Sequence, residues 1–170
     1  ITVFGSLNAD LVCPVEKLPA PGETVTAPDY TVVAGGKGAN QALAAARAGA
    51  AVSMVGAVGR DGFRETALAS LRDGGVDIAA VKDTPRPTAC AFIGVDVKGE
   101  NQIIVASGAN LEARAEQLEG VQLEREDLLL LQMEVPHAEN WKAMEIAKAA
   151  GLRVVLNLAQ VGPVPERAMP

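Results

Sequence analysis

The sequence is poor in aromatic residues, histidine and cysteine, and each shortage argues against a class of protein. Aromatics make up 3% of the 170 residues, too few to form a surface on which nucleic-acid bases could stack. The single histidine, His137, belongs to no zinc spacing or Ser-His-Asp set, so we interpret it as a structural residue at the start of a helix. Cys13 and Cys90 are too few for a disulfide framework. We interpret both as reduced thiols packed as small hydrophobes in a cytoplasmic protein.

The sequence also lacks a run of basic residues and a long apolar run. Its formal net charge is -6, which is unfavourable for binding nucleic acid or an anionic membrane surface. No apolar stretch reaches the roughly 20 residues that a transmembrane helix needs. We therefore expect neither nucleic acid nor membrane as a partner.

What the sequence does contain is an alternation of short β-branched runs with Ala/Leu-rich segments, which is typical of an α/β fold. The predicted strands are 1–4, 52–58, 128–132 and 154–158, and the predicted helices are 39–48, 64–73 and 139–150. The run at 52–58 is almost continuously apolar, as expected of a strand covered on both faces. This order predicts a mostly parallel sheet with crossover helices in one domain.

Two regions interrupt that alternation. Residues 11–33 carry four prolines and should form extended strands and turns rather than helix. Residues 88–95 and 102–107 flank a polar, glycine-containing turn, which is a hairpin signal. We expect these segments to form a small β-sheet outside the main layer; the alternative is that they are edge strands of the main sheet.

A glycine-rich run, Gly35-Gly36-Lys37-Gly38-Ala39-Asn40, follows an extended segment and opens a helix. Paired glycines let a ligand approach the backbone, and the first turn of a helix offers unpaired N–H groups. No Ser or Thr follows Gly-Lys, so the run is not a P-loop. Gln41 stands where a dinucleotide-binding motif has its last glycine, so the run is not that motif either. The run therefore suits hydroxyls or an anion, unless it is a purely structural helix start.

Carboxylates and an amide stand where strands are predicted to end. Asn8 and Asp10 follow the first strand and are one residue apart, so in an extended segment they share a face. Glu134 follows the apolar run at 128–132, and ligands of open α/β sheets bind at such carboxyl ends. A carboxylate can accept hydrogen bonds from two neighbouring hydroxyls. The structural alternatives are an Asx turn for the first pair and a helix cap for Glu134.

Taken together, these features resemble the ribokinase family of carbohydrate kinases, also called the PfkB family. The resemblance extends along essentially the whole chain. The matching runs are Gly5-Ser6-Leu7-Asn8-Ala9-Asp10, Pro21-Gly22-Glu23-Thr24, residues 35–41, residues 55–61, Gly108-Ala109-Asn110 and Gln132-Met133-Glu134.

The resemblance implies a fold, a reaction and a set of site residues. The implied fold is a Rossmann-like αβα layer with a small β-lid at about 8–33 and 88–107, the lid often pairing with another lid in a homodimer. The implied reaction is ATP-dependent phosphorylation of the 5-hydroxyl of D-ribose, with Mg²⁺ and K⁺ as further cofactors. The implied sugar-binding residues are Asn8, Asp10, Gly36, Lys37, Asn40 and Glu134, with Ala91 and Ile93 in an apolar lid strand above them.

The resemblance also implies parts that this sequence lacks. The family's catalytic Asp lies in a Gly-Ala-Gly-Asp run that is absent from the 170 residues, as are the ATP-binding loops and the cation site. We therefore expect residues 1–170 to be the N-terminal part of a longer domain, inactive without the remainder. The alternatives are another sugar or nucleoside kinase of the family, or a non-catalytic sugar-binding or dimerisation fragment.

Overall fold

A computed structural model describes residues 1–160 and 162–166. Within them the chain forms nine strands and three α-helices. In chain order these are β1 (Thr2–Phe4), β2 (Asn8–Pro14), β3 (Thr31–Gly35), α1 (Lys37–Arg47), β4 (Ser53–Gly59), α2 (Phe63–Asp73), β5 (Val81–Thr84), β6 (Ala89–Val95), β7 (Asn101–Ala106), β8 (Leu128–Gln132), α3 (His137–Ala150) and β9 (Arg153–Asn157). Two short 3₁₀ helices, Gly108–Glu112 and Ala115–Gly120, lie between β7 and β8.

The larger sheet has five parallel strands in the order β5-β4-β1-β8-β9. Both of its faces are covered, because Val3 and Met54 pack in one buried cluster, whereas Phe4 and Leu129 pack in another. Burial on both faces explains why β4, with six of its seven residues buried, reads as a nearly unbroken apolar run. The prediction of an α/β fold with a parallel sheet and crossover helices is confirmed.

The smaller sheet has four strands in the order β3-β2-β6-β7. β2 pairs with β6 in parallel, and the other two pairings are antiparallel. The separate sheet is therefore confirmed, and the alternative of edge strands on the main sheet is wrong. The β6–β7 hairpin turns at Asp96 and Gly99, where the φ of +82° requires a glycine-like conformation. We call this sheet the lid sheet.

The starts of two helices differ from the predicted ones by two residues. α1 begins at Lys37 rather than residue 39, because Gly36, with φ +91°, is the residue that caps it. α3 begins at His137 rather than residue 139, so His137 is the first helical residue, as its interpretation required. The consequence for the site is that Lys37 stands in the first turn of α1 and not in a loop.

Three predictions concern the chain outside the sheets. Cys13 and Cys90 are unpaired; Cys90 is buried as predicted, whereas Cys13 is only partly buried. Among the described residues no helix is both long and apolar enough to cross a membrane. The predicted extent of the domain, 1–170, includes residues 161 and 167–170, which lie outside the described residues.

Candidate functional site

A pocket of about 280 Å³ lies between the lid sheet and the carboxyl ends of the parallel strands. All eight residues proposed from the sequence line it. Among the described residues the lining is Asn8, Asp10, Gly36, Lys37, Asn40, Ala91, Ile93, Ile103, Val105, Glu134 and Gln160. Asn8 and Asp10 stand in β2 itself, so they share a face as predicted, and neither belongs to an Asx turn.

Asp10 lines the pocket, and the protein leaves one of its carboxylate oxygens unpaired. Its Oδ1 is buried and, among the described residues, has no hydrogen-bond partner. Burial, followed by the negative charge of Glu134, raises the pKa of Asp10 above its ordinary value, although the charge of Lys37 acts in the opposite direction. An unpaired buried acceptor is costly, so the geometry favours a ligand that donates a hydrogen bond here.

Gly35 explains why the glycine run is needed behind Asp10. β2 and β3 place Gly35 beside this carboxylate, and a Cβ at position 35 would overlap the carboxyl atoms. Only glycine at position 35 leaves room for the carboxylate in its present position. The first glycine of the run thus acts on the site through Asp10, which the sequence pattern alone did not reveal.

Asn8 is oriented by a second asparagine. Asn110 Nδ2 donates a 2.8 Å hydrogen bond to Asn8 Oδ1, and Asn110 Oδ1 accepts one from the Leu7 backbone N–H at 3.0 Å. Both asparagine side chains are buried. Because the oxygen of Asn8 is already used, its amide NH₂ is the group left for a ligand in the pocket.

Among the described residues, four donors hold Glu134. Its Oε2 accepts hydrogen bonds from Ser6 Oγ at 2.6 Å and from the Lys37 backbone N–H at 2.9 Å. Its Oε1 accepts from Lys37 Nζ at 2.6 Å and from Gln160 Nε2 at 3.3 Å. Burial by itself would raise the pKa of Glu134, but the hydrogen bonds from Lys37 and Ser6 and the charge of Lys37 outweigh it and lower the pKa.

These bonds decide what the start of α1 can bind. The N–H groups of Lys37 and Gly38 donate to Glu134 and to Ser6 Oγ, and the Ala39 N–H donates to the Ser6 carbonyl. The positive end of the helix is therefore already satisfied by a carboxylate of the chain itself. Of the two possibilities raised by the sequence, hydroxyls and an anion, the geometry favours hydroxyls. The structural alternative for Glu134, a cap of the helix that follows it, is not what is observed.

Glycines allow β1 and α1 to approach closely enough for this arrangement. A Cβ on Gly38 would stand 2.6 Å from the Ser6 nitrogen, and one on Gly36 would stand 2.8 Å from the Ser6 carbonyl oxygen. A Cβ on Gly5 would overlap the side chain of Gln132. Gly36 and Gly38 are thus explained by the close contact between the end of β1 and the first turn of α1, whereas Gly5 makes room for Gln132.

The wall opposite the polar groups is apolar and belongs to the lid sheet. Ala91 pairs with Val105 and Ile93 pairs with Ile103 across the β6–β7 hairpin, so all four face the pocket. Polar groups on one side and apolar side chains on the other suit a small polyol, whose hydroxyls and C–H surfaces need different partners.

Sequence reasoning missed five residues of the site: Ser6, Ile103, Val105, Asn110 and Gln160. Because side chains alternate between the two faces of a strand, the predicted hairpin of β6 and β7 could have indicated Ile103 and Val105 as lining residues. Ser6 and Asn110 fall in matching family runs, but their roles depend on partners distant in sequence. Gln160 lies in a loop, where no periodicity gives a signal.

A larger cavity of about 390 Å³ lies elsewhere, beside Phe63, Cys90 and Phe92. Its one carboxylate, Asp61, accepts hydrogen bonds from the Thr88 backbone, the Thr88 hydroxyl and the Phe63 backbone. Because these bonds hold Asp61 in a structural role, the cavity offers little to direct a polar ligand, and we place the candidate site at the smaller pocket.

Comparison with known proteins gives a consistent result. A family model described as pfkB family carbohydrate kinase matches residues 1–164. The chain is 41% identical over 162 residues to a ribokinase of Haemophilus influenzae, covering 94% of the chain and 53% of the relative. It is 35% identical over 162 residues to a deoxyribokinase of Salmonella typhi, with 94% and 53% covered.

Among solved structures, the chain is similar to Arabidopsis thaliana ribokinase complexed with ribose and ATP. The TM-score is 0.84 at 32% identity, and the match covers 98% of this chain and 56% of the other. The chain thus spans about half the length of the curated relatives it matches.

Proposed function

The chain belongs to the pfkB family of carbohydrate kinases, and we propose that it supplies the sugar-binding half of an ATP-dependent kinase that phosphorylates the 5-hydroxyl of D-ribose. The observation that carries the proposal is the unpaired, buried Oδ1 of Asp10, in a pocket whose other polar groups surround it. A relative of this chain has been solved with ribose and ATP bound, which supports the same assignment.

Each residue has a role in binding and orienting the sugar. Asp10 accepts hydrogen bonds from neighbouring hydroxyls, and Asn8 donates its free NH₂ group to another. Asn40, exposed at the first turn of α1, and the backbone of Gly36 meet further hydroxyls. Holding the sugar in one orientation presents its primary hydroxyl for reaction, which is the positional part of phosphoryl-transfer catalysis.

Glu134 and Lys37 form a hydrogen-bonded pair in the pocket lining. Glu134 already accepts from Ser6, Lys37 and Gln160, so a sugar hydroxyl there must share or replace one of these bonds. The bond to Gln160, at 3.3 Å, is the longest of the four. Lys37 Nζ remains close enough to donate to the same hydroxyl.

The residues present do not fit the remaining cofactors. Among the described residues no group of three or more His, Cys, Asp or Glu side chains could hold a metal ion. The pocket of about 280 Å³ is of monosaccharide size, and the first turn of α1 is occupied by Glu134 rather than open to phosphate. When bound, ATP would supply the phosphoryl group, but we assign ATP, Mg²⁺ and K⁺ no ligands in this chain.

We further propose a homodimer joined through the lid sheets, and a cytoplasmic location. The face of the lid sheet turned away from the pocket leaves Phe92 and Ile104 exposed, at 49% and 72%. Exposed apolar patches of this kind often mark protein interfaces. Unpaired cysteines suit the reducing cytoplasm.

The test is a phosphorylation assay with the native protein that contains this chain. Ribose, fructose, 2-keto-3-deoxygluconate and adenosine are offered with ATP. We expect phosphate transfer from ATP to ribose, and we expect the product to carry the phosphate at its 5-position. Transfer to one of the other acceptors without transfer to ribose would keep the family but overturn the substrate.

A second candidate is a sugar-binding or dimerisation module without turnover. It is favoured by one observation: every polar group assigned to the sugar here lies within these residues, whereas the family's Gly-Ala-Gly-Asp run is absent from the sequence. Assayed by itself, the 170-residue chain is expected to bind ribose and not to consume ATP. Binding together with ATP consumption would exclude this second candidate.

A further inference from the structure

Gln160 occupies a conformation that a residue of its type rarely adopts. It follows β9, and its φ is +65°, in the left-handed region. The turn before it is fixed by the Ala159 N–H, which donates to Asn157 Oδ1 at 2.9 Å. A non-glycine residue in this region costs free energy, and such residues concentrate at functional sites. The turn brings the side chain of Gln160 to the rim of the sugar pocket.

The contact with Glu134 fixes how the amide of Gln160 is turned. The two side-chain atoms that meet are Gln160 Nε2 and Glu134 Oε1, 3.3 Å apart. An ionised carboxylate can only accept hydrogen bonds, so the amide must present its NH₂ group to it. Within the part of the chain that the structure describes, Gln160 Oε1 then has no hydrogen-bond donor, while the side chain lines the pocket.

We propose that Gln160 is a specificity-determining residue, which accepts a hydrogen bond from a hydroxyl at the Glu134 end of the bound sugar. The inference rests on the proposed function, since it assigns part of the same pocket. Glu134 alone would accept from that hydroxyl only by losing a present donor, because its four acceptor positions are used. Gln160 Oε1 offers the hydroxyl an acceptor that is not already committed.

The chemical consequence is selection between sugars that do and do not carry this hydroxyl. A pocket that hydrogen-bonds a hydroxyl rejects the analogue without it, because the pocket's own group is left unpaired. One neutral hydrogen bond corresponds to an affinity change of about 3- to 10-fold. Asp10 lines the same pocket but makes no hydrogen bond to Gln160 among the described residues, so its loss should weaken binding of sugars with and without this hydroxyl.

Two substitutions separate the side chain of Gln160 from its backbone. Gln160→Gly keeps the positive φ at no steric cost and removes the amide. Gln160→Asn tolerates the same backbone conformation but is one methylene too short to reach Glu134. Thermal melting of each variant checks that the fold is intact, and both melting temperatures should stay close to that of the parent chain.

The experiment is calorimetric titration of the 170-residue chain and of both variants. The sugars are D-ribose, which carries every hydroxyl, and 2-deoxy-D-ribose, 3-deoxy-D-ribose and 1,4-anhydro-D-ribitol, which each lack a different one. We expect both variants to bind ribose about 3- to 10-fold more weakly than the parent. One deoxy sugar should show the same loss with the parent chain, and its affinity should be insensitive to both substitutions.

The outcomes separate this inference from the function on which it rests. If the parent chain binds ribose and both variants bind every sugar as the parent does, Gln160 does not read a hydroxyl and the inference is overturned. Equal weakening for all four sugars overturns it as well, because the residue would then act on the pocket as a whole. If the parent binds no sugar at all, the proposed function fails and takes this inference with it.

Discussion

Gly35 lies directly behind the carboxylate of Asp10, so close that any Cβ at position 35 would overlap it. The pairing of β2 with β3 fixes this contact, and it explains a glycine that no turn or positive φ requires. The unpaired Oδ1 of Asp10 owes its place in the pocket to the absence of a side chain on its neighbour.

Gly35→Ala should therefore damage ribose binding more than it damages the fold. We expect the methyl group to push the Asp10 carboxylate aside and to weaken ribose binding by at least about 10-fold, the value of one hydrogen bond to a charged group. Overpacking should lower the free energy of unfolding by about 1–3 kcal/mol. Calorimetric titration and thermal melting measure the two effects.

Gly120→Ala is the matched control for this substitution. Gly120 is exposed, has no positive φ, and a Cβ there would meet nothing within 4 Å. It should leave ribose affinity and stability unchanged to within about 0.5 kcal/mol. Equal effects of the two substitutions on ribose affinity would show that Gly35 has no special relation to Asp10.

Asp10→Asn should stabilise the chain at neutral pH while weakening sugar binding. Burial and the charge of Glu134 raise the pKa of Asp10 in the folded state. A carboxyl with a raised pKa destabilises the fold at pH values above that pKa, and the penalty disappears as the pH falls to the ordinary pKa of an aspartate, 3.8. We expect the melting temperature at pH 7 to rise by about 1–3 °C, and the rise to shrink on approaching pH 3.8. A variant that melts below the parent at pH 7 would contradict this.

Glu134→Gln should have the opposite effect on stability. The pKa of Glu134 is lowered, so its contribution to stability is present above the ordinary glutamate pKa of 4.5 and is lost as the pH falls below it. The substitution leaves Lys37 Nζ without its carboxylate partner. Because Lys37 is partly exposed, we expect a loss of about 1–3 kcal/mol at pH 7, below the range for a fully buried pair. Urea titrations at pH 7 and below pH 4.5 measure the difference.

Glu65→Gln serves as the control, since Glu65 also pairs with arginines but its side chain is 64% exposed. Its unfolding midpoint should match that of the parent at pH 7. If Glu134→Gln behaved like Glu65→Gln, the carboxylate at the end of β8 would not organise the first turn of α1.

Asn110→Asp tests whether Asn8 is held in one orientation. The substitution replaces the NH₂ group that donates to Asn8 Oδ1 with an acceptor, so Asn8 must turn its own NH₂ group away from the pocket. We expect ribose affinity to fall about 3- to 10-fold, with a loss of stability of about 1–3 kcal/mol. Asn101→Asp, on exposed β7, is the control. Unchanged ribose affinity in Asn110→Asp would show that Asn8 does not donate to the sugar.

The sequence predicted most of the fold because its signals are local. The apolar run at 52–58 and the glycines at 35 and 36 are visible without any knowledge of tertiary contacts. The same is true of Asn8, Asp10 and Glu134, since the ends of parallel strands meet at one edge of a sheet. Their convergence on one pocket follows from topology.

What the sequence could not predict depends on long-range contacts. Ser6 and Glu134 are 128 residues apart, and nothing in either segment indicates that the hydroxyl donates to the carboxylate. The predicted start of α1 is two residues too late for the same reason, because the first N–H groups of the helix donate to those two residues, which are distant in sequence. The position of the Gln160 side chain depends on the left-handed backbone conformation of Gln160 itself, which sequence patterns do not predict.

The central claim is that the pocket between the lid sheet and the parallel strands holds a sugar through Asp10. Calorimetric titration of D-ribose into the 170-residue chain and into its Asp10→Ala variant tests it most directly. We predict millimolar or tighter binding by the parent, and at least about 10-fold weaker binding by the variant, since a hydrogen bond to a charged group is lost. Ribose binding of equal strength in the two proteins would contradict the account.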